Sequence, residues 1–357
     1  MEIQLTQQRL RSVARPLLFR HFTFHIDGNR VSLLLQRLEY WSSPEIAPCV
    51  RECSLTGQNR LQSVLSQAFL SRLPRFTNLR QFSMQSFMYT PTFFQALQSL
   101  PALRHLESCH CFPDPAVSAD DWRLLIPLDL TFIHIHHLHV GGDLTRHVRH
   151  DTVCSMEVFL GEQSCADILA GDPFPLVKHL LCCLAFKKPS ASSVSHLLSQ
   201  FPAIEVLHFP SKIDESTFAA SSKVHLPSLT RLTGNPRVLS LLQTTAALRY
   251  LNIDYGSWKP REFLAMVHSN MAGVISLCVS FTSFSYENIC DLSRCFPGLQ
   301  SLRVDTAAKS ARNSVFQVCI VLHCALVCRA KCCEGKGVLR ESNQTLTPSN
   351  KHQEVLH

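Results

Sequence analysis

The amino-acid sequence predicts an α/β fold in which a strand and a helix alternate along the chain as a solenoid. Three observations support this prediction. A nine-residue pattern, written FPAIEVLHF at residues 201–209, returns many times. Segments with the apolar spacing of amphipathic helices separate its copies. The chain has 357 residues, more than one core usually supports, so two domains or an elongated stack are expected.

The repeated pattern is an aliphatic lead residue followed three and five residues later by two more apolar residues. Its copies begin at the following leads: Val50, Leu79, Leu103, Ile135, Val153, Val177, Ile204, Leu229, Leu248, Val274 and Leu299. These leads run from residue 50 to residue 299, an average spacing of about 25 residues, which is typical of leucine-rich repeats. We therefore predict a leucine-rich-repeat solenoid, with a curved parallel sheet and helices on its convex side. The alternative is an ordinary α/β domain with evenly spaced units.

The strands of this pattern predict a binding face. Side chains alternate along a strand, so the second and fourth residues after each lead point away from the core. In a solenoid these positions line the concave face. In the segment HIHHLHV, the lead at Ile135 places His137 and His139 there. The predicted partner-binding residues are Gln81, Ser83, His105, Glu107, His137, His139, Ser155, Glu157, His208, Tyr250, Asn252, Asp254, Ser301, Arg303 and Asp305.

Helices are predicted between the strands. Apolar residues at positions 61, 64, 65, 68, 69 and 73 have helical spacing. Thr90 followed by Pro91 predicts a helix start. The threonine hydroxyl can accept a hydrogen bond from an N–H of the first turn, and a proline at the first helical position loses no helical hydrogen bond, because the N–H it lacks would have no partner there. The FP or LP that opens many copies ends the preceding helix. Further helical segments read VSLLLQRLEYW, TFFQALQSL, VSHLLSQF, VLSLLQTTA, REFLAMVHSN and YENICDLSRCF.

The pattern divides the chain into three parts. Residues 1–30 are expected to form an N-terminal cap, and residues 31–308 the repeat body. Residues 309–357 are expected to form an apolar, cysteine-rich cap helix followed by a disordered polar tail. The most apolar run, residues 315–328, has 14 residues, fewer than the ~20 that cross a bilayer. No membrane contact is therefore predicted.

The cysteines indicate a reducing compartment. The chain has 16 of them, and its start lacks the apolar core of a secretory signal, so we expect an intracellular protein of the cytoplasm or nucleus. Cys53, Cys182, Cys278 and Cys290 lie in apolar stretches, where a free cysteine acts as a small hydrophobic residue.

Charge patterning argues against nucleic acid as a partner. The net charge is +7, but cations and carboxylates are interspersed and no basic stripe with aromatic residues appears. The arginine excess lies before residue 81, and we interpret it as solvated helix faces. These arginines are Arg9, Arg11, Arg15, Arg20, Arg30, Arg37, Arg51, Arg60, Arg72, Arg75 and Arg80.

Sequence motifs for catalysis are missing. No phosphate-binding glycine loop, HExxH or GxSxG motif is present, and GEQSCAD lacks the second glycine of a nucleophile elbow. No enzymatic activity, cofactor or metal is therefore predicted. The alternative is a metal-binding or enzymatic protein that uses the histidine-rich middle segment, His134, His136, His137 and His139.

The opening QQRLRSVARPLLFRHFTFHI resembles the last helix of an F-box and the strand that follows it, as in fungal F-box proteins with divergent leucine-rich repeats. Residues 11–19 match that junction, and the repeats match the usual body. The resemblance implies a substrate receptor of a cullin-RING ubiquitin ligase, in which the F-box holds the adaptor and the repeats hold the target protein. Most of the F-box is missing from this sequence. The resemblance therefore implies a target-holding scaffold that binds the adaptor only when a complete F-box is present.

Overall fold

The structure is a computed structural model. It describes residues 13–26, 31–57, 64–114, 116–118, 121, 125–136, 147–185, 189–214, 223–267, 271–283, 285–306 and 320–321. The expected cap helix and tail after residue 308 lie almost entirely outside these residues. Clustering divides the chain into two compact units, Met1–Ile320 and Val321–His357.

Twelve strands form one parallel sheet, and their order across the sheet follows their order along the chain. They are β1 (His21–Ile26), β2 (Glu52–Gly57), β3 (Gln81–Gln85), β5 (His105–Cys109), β7 (Phe132–His136), β8 (Ser155–Leu160), β9 (His179–Leu184), β10 (Val206–Phe209), β11 (Arg231–Gly234), β12 (Tyr250–Trp258), β13 (Ser276–Phe281) and β14 (Ser301–Thr306). The mixed α/β class with a large parallel sheet is confirmed. Three strands have two residues each: β4 (Met88–Tyr89), β6 (Phe112–Pro113) and β15 (Ile320–Val321).

The first described helix precedes β1, and the others lie between strands. Residues 13–18 are helical and form α1. The others are α2 (Val31–Trp41), α3 (Val64–Arg72), α4 (Pro91–Gln98), α5 (Glu162–Ala170), α6 (Ala191–Ser199), α7 (Pro260–Met266) and α8 (Tyr286–Cys295). Among the described helices, none is both long and apolar enough to cross a membrane.

Ten of the eleven predicted leads lie two residues before an observed strand, and each of the ten is at most 8% exposed. The lead at Ile135 is wrong. Ile133 and Ile135 are both buried inward residues of β7, so the lead of this repeat is Leu130. With Leu130, the neighbouring intervals change from 32 and 18 residues to 27 and 23. The repeats are therefore more even than the sequence pattern indicated.

The core lies between the sheet and the helices. Inward side chains of neighbouring strands are register partners, such as Phe82, Leu106, Ile133 and Met156, and each of these is at most 1% exposed. Burial of one such side chain contributes about 1.5–3 kcal/mol. The sheet is therefore stabilised by apolar rows that run across the strands.

The prediction of one helix per unit holds only in part. The segment VSLLLQRLEYW is α2, and Thr90 caps α4 by accepting from the Phe93 N–H at 3.4 Å. The segment VLSLLQTTA is not an α-helix, because Pro236–Leu241 forms a 3-10 helix instead. Its start is fixed by Asn235, whose side chain accepts from the Arg237 N–H at 2.9 Å.

Gly234 allows the chain to turn out of β11. Its φ is +117°, and a Cβ there would lie 2.3 Å from the carbonyl oxygen of Phe209. Only glycine tolerates both this conformation and this close approach. The buried Asn235 then bridges to the previous repeat by donating from Nδ2 to the Ser211 carbonyl at 2.9 Å. This turn therefore links two consecutive repeats.

Candidate functional site

The register aligns the outward side chains of the sheet in rows. In the middle row, Ser83, Glu107, His134 and Glu157 are successive partners on β3, β5, β7 and β8. Neighbouring strands are about 4.7–4.9 Å apart, so side chains in one row contact each other directly. All four are partly exposed. We call this side of the sheet the outward face.

Most of the predicted binding residues lie on the outward face and are partly or fully exposed. They are Gln81, Ser83, His105, Glu107, Ser155, Glu157, His208, Tyr250, Asn252, Ser301, Arg303 and Asp305. Asp254 lies in β12, but its side chain is outside the described residues. His137 and His139 are also outside the described residues. The outward histidines of β7 are His134 and His136, because the strand starts at Phe132.

Histidines and glutamates alternate where β5, β7 and β8 meet. Nδ1 of His134 lies 3.1 Å from Oε2 of Glu157. Nε2 of His105 lies 3.6 Å from Oε1 of Glu107, beyond hydrogen-bond distance. The ring centroid of His105 is 3.9 Å from that of Phe132. Burial lowers the pKa of His105, and the nearby carboxylate of Glu107 opposes this shift.

His136 lies at the end of β7 among other rings. The ring centroid of His136 is 4.4 Å from that of Phe159 and 4.8 Å from that of His110. Burial lowers the pKa of His136, and His110 and His134 shift it in the same direction. Within the described part of the chain, no group of three or more histidine, cysteine, aspartate or glutamate residues could hold a metal ion. His105, His134 and His136 instead contact glutamates or aromatic rings.

The outward face carries an aromatic and a cation near its other end. Tyr250 is 41% exposed, and Cζ of Arg231 lies 5.0 Å from its ring centroid, within the range of a cation–π contact. Arg303 on β14 is held by Asp305, with Nε 3.4 Å from Oδ1. Both Tyr250 and Arg303 are exposed, so both are accessible to a partner.

The sequence prediction missed a second site at the start of the strands. Arg20, Arg51, Arg80 and Arg104 each immediately precede one of β1, β2, β3 and β5. The backbone N–H of Arg51 donates to the carbonyl of Arg20 at 2.8 Å. The same bond joins Arg80 to Arg51 at 2.8 Å and Arg104 to Arg80 at 2.9 Å. These four residues are neighbours on consecutive strands, and we call them the arginine row.

The arginine row lines an open cavity of about 540 Å³. The other lining residues are Pro16, Leu17, Glu52, Gln81, His105 and Thr131. The interpretation of Arg20, Arg51 and Arg80 as solvated helix faces is wrong, because they lie at strand starts. The signal in the sequence is an apolar residue followed by arginine, which recurs at residues 19–20, 50–51, 79–80 and 103–104.

The chain was compared with known proteins. No protein-family model matches it, and no curated protein matches it. The outward face and the arginine row are therefore interpreted from their own chemistry.

Proposed function

We propose that this chain is a non-catalytic protein-interaction scaffold whose outward face binds a folded protein or a peptide. The supporting observation is that predicted binding residues from six strands, β3, β5, β8, β10, β12 and β14, share one partly exposed face. The face combines imidazole, carboxylate, amide, phenol and guanidinium groups. Such a mixed surface suits a protein partner better than a polyanion.

We further propose that the sheet is the concave side of a leucine-rich-repeat solenoid, with the helices on the convex side. Two observations support this proposal. The strands are all parallel and pair in chain order, and the repeat length of about 25 residues is in the leucine-rich range. A concave face would surround a bound segment on two sides and so increase the contact area.

The biological role that we propose is recognition of target proteins for a cullin-RING ubiquitin ligase, in the cytoplasm or nucleus. It rests on the resemblance to fungal F-box proteins with leucine-rich repeats. The order of α1 followed directly by β1 agrees with the F-box junction that residues 11–19 resemble. The adaptor should bind only when a complete F-box is joined ahead of Arg11.

The experiment compares variants of the outward face with matched variants of the helices. Tyr250→Ala and Arg303→Ala should each weaken binding of a purified partner about 30-fold, since truncation of such anchors costs about 2 kcal/mol. The controls are Tyr40→Ala on α2 and Arg294→Ala on α8, whose side chains are also exposed. Partners would be found by crosslinking, and their affinities measured by calorimetry. Equal losses from both sets would place the binding surface elsewhere.

A further inference from the structure

The arginine row concentrates positive charge over a short distance. Adjacent parallel strands are about 4.8 Å apart, so the four arginines are spread over about 14 Å. Glu52 is the one carboxylate among the described residues that line the cavity. The cavity therefore has an excess of three positive charges, from four arginines and one glutamate.

The four arginines differ in their partners. Glu52 Oε1 accepts from Nε of Arg20 at 3.0 Å and lies 2.9 Å from its Nη2. Nη1 of Arg104 donates to the carbonyl oxygen of Leu103 at 2.6 Å. Arg51 and Arg80, in the middle of the row, have no carboxylate partner among the described residues. Their guanidinium groups remain available to a ligand.

Glu52 is also engaged on its other oxygen. Its Oε2 lies 3.0 Å from Nδ1 of His21. The single carboxylate of the cavity is thus held at the Arg20 end of the row and leaves Arg51 and Arg80 uncompensated. A guanidinium group presents paired N–H donors that match a carboxylate in bidentate geometry.

The cavity has an apolar wall next to the arginines. Pro16 and Leu17 of α1 form it, and Leu17 is 73% exposed. His105 also lines the cavity, with its ring against that of Phe132. A nucleic acid would need cations along an extended backbone and aromatic platforms for its bases. Cations beside an exposed leucine instead suit a peptide that combines acidic and apolar side chains.

We propose that the arginine row binds an acidic segment of a partner protein. Two carboxylates of the segment pair with Arg51 and Arg80, and an apolar side chain of the segment lies against Leu17. The cavity volume of about 540 Å³ accommodates a few residues. This site goes beyond the outward-face function proposed above. The cavity shares Gln81 and His105 with the outward face, but Arg51 and Arg80 precede other strands than those of Tyr250 and Arg303, so the variants of each proposal are separate and either proposal can fail alone.

The test uses the full chain and a fluorescent decapeptide in which glutamate alternates with leucine and serine. The matched peptide has glutamine in place of each glutamate. Fluorescence anisotropy should show saturable binding of the glutamate peptide that weakens as salt increases, because exposed charges are screened. The glutamine peptide should bind at least about tenfold more weakly, since it forms no charge-assisted bonds.

The decisive variant is the double substitution Arg51→Gln with Arg80→Gln. The control is Arg261→Gln with Arg294→Gln, on α7 and α8, which removes the same net charge from exposed positions. We expect a loss of at least about tenfold for the first pair and less than about twofold for the control. Unchanged thermal unfolding of both proteins verifies that they fold.

Several outcomes would overturn the proposal. These are the absence of saturable binding, equal binding of the two peptides, and equal losses in the two double variants. Tighter binding of a single-stranded oligonucleotide of equal charge would instead make the row a nucleic-acid site. The arginine row would be only a general anion site if millimolar inorganic phosphate displaced the glutamate peptide completely and if the leucines of the peptide did not contribute to its affinity.

Discussion

Burial favours the neutral form of two histidines on the outward face. Burial lowers the pKa of both His105 and His136, so the folded state favours their neutral forms. The unfolded chain takes up protons at the ordinary pKa of about 6.5. The contribution of these rings to stability is therefore present above about pH 6.5, and it is lost as the pH falls from there toward the folded-state pKa.

The pH dependence of unfolding tests this conclusion. We expect the urea midpoint of the parent chain to fall between pH 7.5 and pH 5.5, and His105→Gln to reduce that fall. The groups that face His105 are Gln81, Glu107, Phe132, His134 and Glu157. Gln81→Ala, its register partner on β3, removes no titrating group and should keep the full pH dependence. An unchanged fall in His105→Gln would contradict the assignment.

The cysteines divide by burial into inert and accessible thiols. Cys53 and Cys182 are 2% and 0% exposed, and burial raises the pKa of both thiols. The prediction that they act as small hydrophobic residues is confirmed. Cys278 and Cys290 are partly exposed, so for them it holds only in part. Their stretches are apolar, but Cys278 occupies an outward strand position.

Thiol labelling should separate these classes. Native protein treated with iodoacetamide at pH 8 should be modified at the exposed Cys154, because the reaction needs an accessible thiolate. Cys53 and Cys182 should be modified only after denaturation. Mass spectrometry of proteolytic peptides measures each site. Rapid modification of Cys53 in folded protein would show that β2 is not packed against the helices as described.

At the scale of the elements, aromatic rings join helices to strands. The ring of Phe69 on α3 is 5.4 Å from that of Phe24 on β1 and 6.3 Å from that of Phe82 on β3. The ring centroid of Phe82 is in turn 5.7 Å from that of Phe93 on α4. All four side chains are fully buried. One helix thus contacts strands on both sides of its own repeat.

Truncation of this ring measures the strength of the connection. Phe69→Ala should lower the free energy of unfolding by about 3–5 kcal/mol, because it removes buried area and leaves a cavity. Val64→Ala on the same helix is the control, since Val64 is 66% exposed, and it should change stability by less than about 0.5 kcal/mol. Urea unfolding followed by circular dichroism gives both values. Similar costs for the two variants would mean that α3 is oriented differently.

Sequence periodicity predicted most elements, and its failures have physical reasons. Ten leads were correct because a buried aliphatic residue before each strand is an apolar signal that repeats. The lead at Ile135 was wrong because Ile135 fits two registers, as a lead residue itself or as the fifth residue after Leu130, and the bounds and burial pattern of β7 select the second. The arginine row was missed because a single polar residue in each repeat carries no hydrophobic periodicity. The four arginines become neighbours, and their charges add up, only when the strands pair.

At the scale of the whole molecule, most contacts between the described elements join neighbours in the chain. The twelve strands of the parallel sheet follow one another across it in chain order, while β4 and β6 lie between them in the chain and form a separate two-stranded sheet. The aromatic cluster around Phe69 lies in the first repeats, and a separate cluster of Phe263, Phe281 and Phe296 joins α7, β13 and the end of α8. In the proposed solenoid, stability would be approximately the sum of each repeat and its interfaces with its neighbours.

Hydrogen exchange tests this neighbour-only arrangement. Phe69→Ala should speed amide exchange in β1 and β3, where the lost ring contacts lie, and in β2 between them, and leave β13 and β14 close to the rates of the parent. Phe263→Ala should do the reverse, because its ring is 5.7 Å from that of Phe281 and 6.4 Å from that of Phe296. Local openings in a one-dimensional array need not include distant repeats. If either variant instead accelerates exchange equally in all strands, the sheet unfolds as one cooperative unit, and the proposed solenoid would lose its main thermodynamic property.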